Sequence, residues 1–286
     1  MKPGLLDHFD LWLLNAAKRH RKKYDDDAHA YYDSFFTESD IQKYRSDVRN
    51  AWRYGRMQKI FLDLFPDGRA TIADVGCGLG MALLYFPPQA SYIGIEFSEE
   101  TLAVARRNHS DRANASFVQG GFPSLPVPSE HFDFVVCTEV AEHIEDDNQA
   151  IGELHRIIKP GGHMLFTVPS TYYWPAYRQL IGHFRHYDGP TLRKQIEHHG
   201  FSVVSQLPQH NDFWRRYHYQ YILMRVLETV LRKTFFKSFD FFQTGIYERY
   251  REHVLSKLAI TDLTEDLAST SIVAKRRVPP AEDDNT

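Results

Sequence analysis

The feature that most constrains this chain is a change of rhythm at Thr71, where short apolar runs begin to alternate with helical segments. Candidate strands are 71–75, 91–97, 115–119, 132–138, 163–169 and 201–207, and helical patterns fall near 80–86, 98–109, 146–158 and 189–199. Such alternation builds a parallel sheet with helices on both faces. Runs such as Asp133-Phe134-Val135-Val136-Cys137 are almost continuously apolar, as strands covered on both sides must be. Ser271–Lys275 returns as a last short strand. The expected fold is α/β, with a doubly wound, mostly parallel seven-stranded sheet.

Around this core the pattern is helical. Residues 5–23 and 41–65 read as helices, the second from Ile41, Tyr44, Val48, Trp52, Ile60 and Leu64. Tyr31, Tyr32, Phe35 and Phe36 cluster between them, and Pro66-Asp67-Gly68 ends the second. The organisation expected is a helical cap over 1–68, a core over 69–207, a helical insertion over 208–265, a last strand within 266–277 and a disordered tail over 278–286. In the insertion, Leu223, Val226, Leu227, Val230 and Leu231 form an apolar stripe flanked by Arg225, Arg232 and Lys233. It reads as a lid or as a dimerisation helix, and in the second case the chain would form a homodimer. Peripheral membrane contact through 208–262 is the alternative.

A net charge of −3 exerts no global pull toward nucleic acid. The basic run Lys18–Lys23 is followed at once by Asp25, Asp26 and Asp27, the pattern of a solvated helix end. Cys77 and Cys137 are the two cysteines, each at the end of a candidate strand, with neither disulfide nor zinc spacing. The first residues carry Asp7, Asp10, Lys18 and Arg19, unlike a secretory signal, and no run approaches the ~18 apolar residues of a membrane span. The location expected is the cytoplasm.

The strongest local signal is Ala73-Asp74-Val75-Gly76-Cys77-Gly78-Leu79-Gly80, which closes the first strand and opens a helix. Glycines there permit a tight turn and close ligand approach. A dinucleotide fingerprint needs glycine at the sixth position from Gly76, but Met81 stands there. The second strand ends in Glu96, inside the window of roughly 20 residues expected for a ribose-binding carboxylate.

The Asp74–Gly80 motif, Glu96, the strand Phe132–Glu139 and Ile158-Lys159-Pro160-Gly161-Gly162 together resemble class I S-adenosylmethionine-dependent methyltransferases, a Rossmann-like family. The resemblance covers about residues 70–207. It implies S-adenosylmethionine as cofactor and S-adenosylhomocysteine as product, contacted by Asp74, Gly76, Cys77, Gly78, Gly80, Glu96, Phe97, Gly121, Phe122, Thr138 and Glu139. Gly76 and Gly78 would pass under the methionine part and Glu96 would hold the ribose. Phe97 would lie against adenine, and Thr138 and Glu139 would border the sulfonium. Where the family often has an acid after the third strand, this chain has Gln119-Gly120-Gly121-Phe122. The Phe122 N–H remains to serve a ring nitrogen.

Methyl transfer needs an aligned acceptor and, for a hydroxyl, a base. Glu139 and His143 are four apart and would share a face if the segment is helical. His143 and His186 are the catalytic candidates, because an imidazole titrates near neutrality. His186 belongs to an aromatic cluster with Tyr172, Tyr173, Trp174, Tyr177, His183, Arg185 and Tyr187. The stretch Gly182–Asp188 resembles methyltransferases acting on sugars, lipids and other secondary metabolites. Glu139, Glu142, His143 and His186 are also similar to the divalent-ion set of small-RNA 2′-O-methyltransferases and of some ubiquinone-biosynthesis O-methyltransferases. The leading expectation is O-methylation of a small-molecule or glycan-like acceptor with no metal ligand assigned. Metal-assisted RNA 2′-O-methylation and non-catalytic cofactor binding are the alternatives.

Overall fold

The computed structural model describes residues 48–171, 182–206 and 269–279, with short helical pieces at 245–246, 249–250 and 252–253. In chain order the elements are α1 (Val48–Leu64), β1 (Thr71–Val75), a 3-10 turn (Met81–Tyr85), β2 (Ser91–Glu96), α2 (Glu99–Asn108), β3 (Ala115–Gln119) and β4 (Phe132–Thr138). A second 3-10 turn (Ala141–His143), α3 (Asp147–Ile157), β5 (Ile158–Pro169), α4 (Gly189–His198), β6 (Phe201–Gln206) and β7 (Ser269–Arg276) follow.

The seven strands form one sheet in the order β3-β2-β1-β4-β5-β7-β6. Six run in the same direction, and β7 alone runs antiparallel, between β5 and β6. The doubly wound sheet expected from the sequence is therefore present. Because β1 has β2 on one side and β4 on the other, the crossovers leave it in opposite directions. A crevice opens there at the carboxyl ends of the strands, where ligands bind in such sheets.

Alternate residues of each strand feed two cores. On one face Ala73, Val75, Val135, Cys137 and Phe166 pack with Leu154, Ile157, Ile196 and Phe201. On the other Ile72, Tyr92, Phe134, Val136, Leu165 and Val273 pack under Met57 and Phe61 of α1. The helix starts are set locally. Ser98 accepts from the Thr101 N–H, Asp146 from Gln149 and Asp188 from Thr191, each satisfying an orphan donor. In α2, Glu99 and Glu100 in the first turn and Arg106 and Arg107 in the last complement the helix dipole.

Two local readings differ from expectation. The helix expected at 80–86 is a short 3-10 turn that begins after Gly80 in the left-handed region. The segment Ile158–Gly162 lies inside β5, paired from Phe132↔Ile158 onward with a register shift before Phe134↔His163. In the 41–65 pattern, the described helix is Val48–Leu64. The first helix, the aromatic cluster at 31–36, most of the 208–265 insertion and tail residues 280–286 lie outside the described residues. Among the described residues no helix is long and apolar enough to cross a membrane.

Helix α1 is held by aromatic packing. Phe61 is fully buried, 5.6 Å from Phe134 and 5.1 Å from Phe86 between ring centroids. Phe61→Ala should cost about 3–5 kcal/mol of unfolding free energy, measured by urea denaturation. A cost under about 1 kcal/mol would show that α1 does not belong to the core.

Candidate active site

The glycine turn at the end of β1 folds back onto β2. Gly76 and Cys77 both donate to the Ile95 carbonyl, at 2.8 and 3.0 Å. Gly76, Gly78 and Gly80 take φ of 73°, 51° and 70°, the left-handed region that other residues rarely adopt. A Cβ on Gly76 would stand 2.3 Å from Val140 Cγ2, and one on Gly80 would meet Phe117 and His109. These two glycines thus make room for protein side chains as well as for the turn.

Glu96 binds the turn to its own strand end. Its Oε2 accepts from the Gly78 N–H at 3.0 Å, and its Oε1 accepts from Phe97 at 2.9 Å and Ser98 at 3.2 Å. Burial raises its pKa above the usual carboxylate range, and the three N–H bonds oppose that rise. A carboxylate offers about four acceptor directions, so about one remains for a ribose hydroxyl. Phe97 packs beside Gly121, where an added Cβ would lie 3.2 Å from its ring. Gln119, standing where an acid was expected, donates to the Phe97 carbonyl at 3.2 Å. Gly121 and Phe122 are half-buried on the same rim.

Asp74 lies below this surface, 3% exposed, its Oδ2 accepting from Tyr92 Oη at 2.7 Å. Cys77 is buried, and burial raises its thiol pKa well above the ordinary range. At the end of β4, Thr138 and Glu139 are half-buried, and the Glu139 N–H donates to the Thr167 carbonyl at 2.8 Å. Glu139 Oε2 lies 3.7 Å from Arg53 of α1.

Past Glu139 the chain is not an α-helix. Glu139 has φ 57°, and only the three residues Ala141–His143 form a 3-10 turn. The helical face proposed for Glu139 and His143 is therefore absent. The turn is instead clamped from above by the 183–186 stretch. Phe184 N–H donates to the Glu142 carbonyl at 2.8 Å, and Arg185 donates to the carbonyls of Ile144 and Glu145. Arg185 also lies 3.2 Å from Asp147.

This clamp gathers side chains that sequence spacing could not. Ligand atoms of Glu142, His143 and His183 all lie within 4.8 Å of one another. The rings of His143 and His183 are 4.5 Å apart, and His183 Nδ1 is 3.0 Å from His186 Nε2. The imidazole facing Glu142 is thus His183, not His186, with His186 one bond further out. Glu142 is fully buried, and neither carboxylate oxygen has a hydrogen-bond partner among the described residues. Burial first, then nearby Glu139, raises its pKa well above the carboxylate range. Burial, then His143 and His186, pushes His183 down to about 2. Burial thus disfavours the charged form on both sides of the 3.9 Å approach of His183 Nε2 to Glu142 Oε1. Tyr172, Tyr173, Trp174 and Tyr177 of the expected aromatic cluster lie outside the described residues.

Residues 73–166 match the family described as methyltransferase domain. An uncharacterized methyltransferase of Schizosaccharomyces pombe is 31% identical over 143 residues, 46% of this chain and 51% of that protein. A demethylmenaquinone methyltransferase of Listeria welshimeri is 28% identical over 129 residues, 43% of this chain and 55% of that protein. The chain spans about half the length of the curated relatives it matches. Among solved structures, the [4+2]-cyclase SpnF aligns with TM-score 0.55 and 18% identity over 78% of this chain and 81% of its own. A putative sarcosine dimethylglycine methyltransferase from Galdieria sulphuraria aligns with TM-score 0.54 and 14% identity over 77% and 84%. The matched stretch runs from β1 into β5, so the likeness to a methyltransferase domain falls on the part of the sheet that forms the crevice. A cyclase on the same fold means that the fold alone does not specify the reaction.

Asp74 gives a test of the buried layer under the turn. Burial raises its pKa from 3.8 to about 7, with the Tyr92 bond opposing and Glu96 adding to the rise. Between these values the folded protein holds a proton that the unfolded chain has lost, so stability falls as pH rises through the window and levels off above it. Asp74→Asn removes this term. The stability gain of the variant over the parent should grow from near zero at about pH 4 to on the order of 4 kcal/mol above about pH 7. Paired denaturant titrations across pH check it, and a gain independent of pH would refute the buried-acid assignment.

Proposed function

We propose that this chain transfers a methyl group from S-adenosylmethionine to a small-molecule or glycan-like acceptor at an oxygen atom. The observation that carries the reading is the turn Gly76–Gly80 locked to Glu96 beside the β1/β4 crevice. The cofactor brings the activated methyl on a positively charged sulfur. The protein's tasks are alignment, exclusion of water and removal of the acceptor proton. In this reading Glu96 holds the ribose through its remaining acceptor direction, Phe97, Gly121 and Phe122 form the adenine rim, and Thr138 and Glu139 border the sulfonium. Gly76, Cys77, Gly78 and Gly80 supply the backbone floor. Asp74, one layer down, braces the strand end through its bond from Tyr92 rather than touching the cofactor. His143 stands next along the turn as the proton acceptor, with His186 behind His183.

A second reading concerns the same turn and rests on Glu142. A carboxylate that is fully buried without a hydrogen bond among the described residues is costly unless a cation completes it. Glu142, His143 and His183 offer the mixed carboxylate and imidazole donors that divalent transition ions favour. His186 fits the outer partner that fixes which ring nitrogen of His183 faces inward. An ion held there would supply a Lewis acid for an acceptor oxygen.

Two measurements test these readings. Glu96→Ala, verified as folded, should weaken S-adenosylmethionine binding by about 1–3 kcal/mol in calorimetry, and unchanged affinity would sink the ribose assignment. His143→Ala should lower kcat by about 10²-fold or more with cofactor affinity nearly constant. Exhaustive chelation then separates the two roles of His143. Unchanged turnover supports the base, whereas a complete loss restored by added divalent ion supports the metal centre.

A further inference from the structure

A row of hydroxyls crosses the carboxyl edge of the sheet on the face that α1 covers. Thr138 pairs in register with Thr167, and Thr167 with Ser271. The Thr167 and Ser271 hydroxyl oxygens are 3.0 Å apart. Two residues further into the same strands, on the same face, stand Val136, Leu165 and Val273 of the apolar core. Helix α1 changes character at the same level. Met57 and Phe61 enter that core, whereas Trp52, Arg53 and Arg56 stand over the hydroxyls. Continuing the apolar layer would avoid desolvating so many polar groups, so the fold itself does not demand this polarity.

Between the two surfaces lies a cavity of about 20 Å³ lined by these three α1 residues and the three hydroxyl-bearing residues, with Tyr54, Met57, Ile60 and Leu165 closing its apolar side. That exceeds the roughly 10–15 Å³ one water needs, and is far below the roughly 300 Å³ of a whole-ligand pocket. The space suits a small terminal group. Its charge is one-sided, since no described residue lining it is acidic. Arg56 is 5% exposed and lies 5.1 Å over the Trp52 ring, while Arg53 reaches from the rim toward Glu139 at 3.7 Å.

We infer that this cavity is the inner end of the acceptor site and takes a carboxylate borne by the methyl acceptor. Guanidinium groups match a planar carboxylate with forked donors. The hydroxyls of the row add short donors beside them. The inference rests on the methyl-transfer reading, because Thr138 joins the row to the turn that carries Glu139 and His143.

The test is ligand-observed NMR on the full-length protein saturated with S-adenosylhomocysteine, with benzoate and its uncharged isostere benzamide as probes. Benzoate should bind at least about tenfold more tightly than benzamide, the discrimination expected of charge-assisted hydrogen bonds. Arg56→Gln should abolish that preference while S-adenosylhomocysteine affinity is unchanged. Thr167→Val, nearly isosteric, should weaken benzoate as well and serves where Arg56→Gln does not fold. Equal affinity for the two probes overturns the inference, as does benzoate binding that is indifferent to both substitutions or absent while S-adenosylhomocysteine binds. A protein that binds no S-adenosylhomocysteine overturns the methyl-transfer reading itself, and the inference falls with it.

Discussion

The Glu96 carboxylate sits where two strand ends must be held in one arrangement. It accepts from the Gly78 N–H of the turn after β1 and from the Phe97 and Ser98 N–H groups after β2. The carbonyl of Ile95, one residue earlier, receives Gly76 and Cys77. Together these bonds fix the floor of the crevice that the strand order opens beside β1. Burying a carboxylate is costly, and the backbone donors offset part of that cost at the point where a ligand would otherwise meet water.

The opposite wall depends on a different clamp. Arg185 and the Phe184 N–H tie a distant stretch of chain to residues 142–147. That contact brings His183 to Glu142 and sets His186 behind it. Helix α1 closes the third side through Phe61, and its polar end meets the hydroxyl row of the sheet. Floor, wall and cover thus come from three segments far apart in sequence.

How much of this is legible in the sequence depends on how local the cause is. Central strands buried on both faces announce themselves, and 71–75 and 132–138 agree with the structure to the residue, as does the edge strand 115–119. Glycines at positive φ and an acid at a strand end are equally local, so the turn and Glu96 can be read directly. The turn after β4 is harder, because the left-handed φ of Glu139 cancels the helical spacing that links it to His143. Nothing in the spacing of His183 and His186 tells which faces Glu142. That choice is made by Arg185 bonding to carbonyls some 40 residues away. Arg53 and Arg56 carry only the signal of charged residues on a helix, which usually means solvent, and Ser271 only that of a strand residue.

The central claim is that the crevice beside β1 holds S-adenosylmethionine with its sulfur facing the turn after β4. The measurement that bears on it most directly is a crystal structure of the full-length protein with S-adenosylhomocysteine. The account predicts a ribose hydroxyl on the Glu96 carboxylate, adenine against Phe97 and the thioether facing the Thr138–His143 turn. A nucleoside bound elsewhere, or one whose ribose leaves Glu96 untouched and whose sulfur points away from that turn, would contradict it.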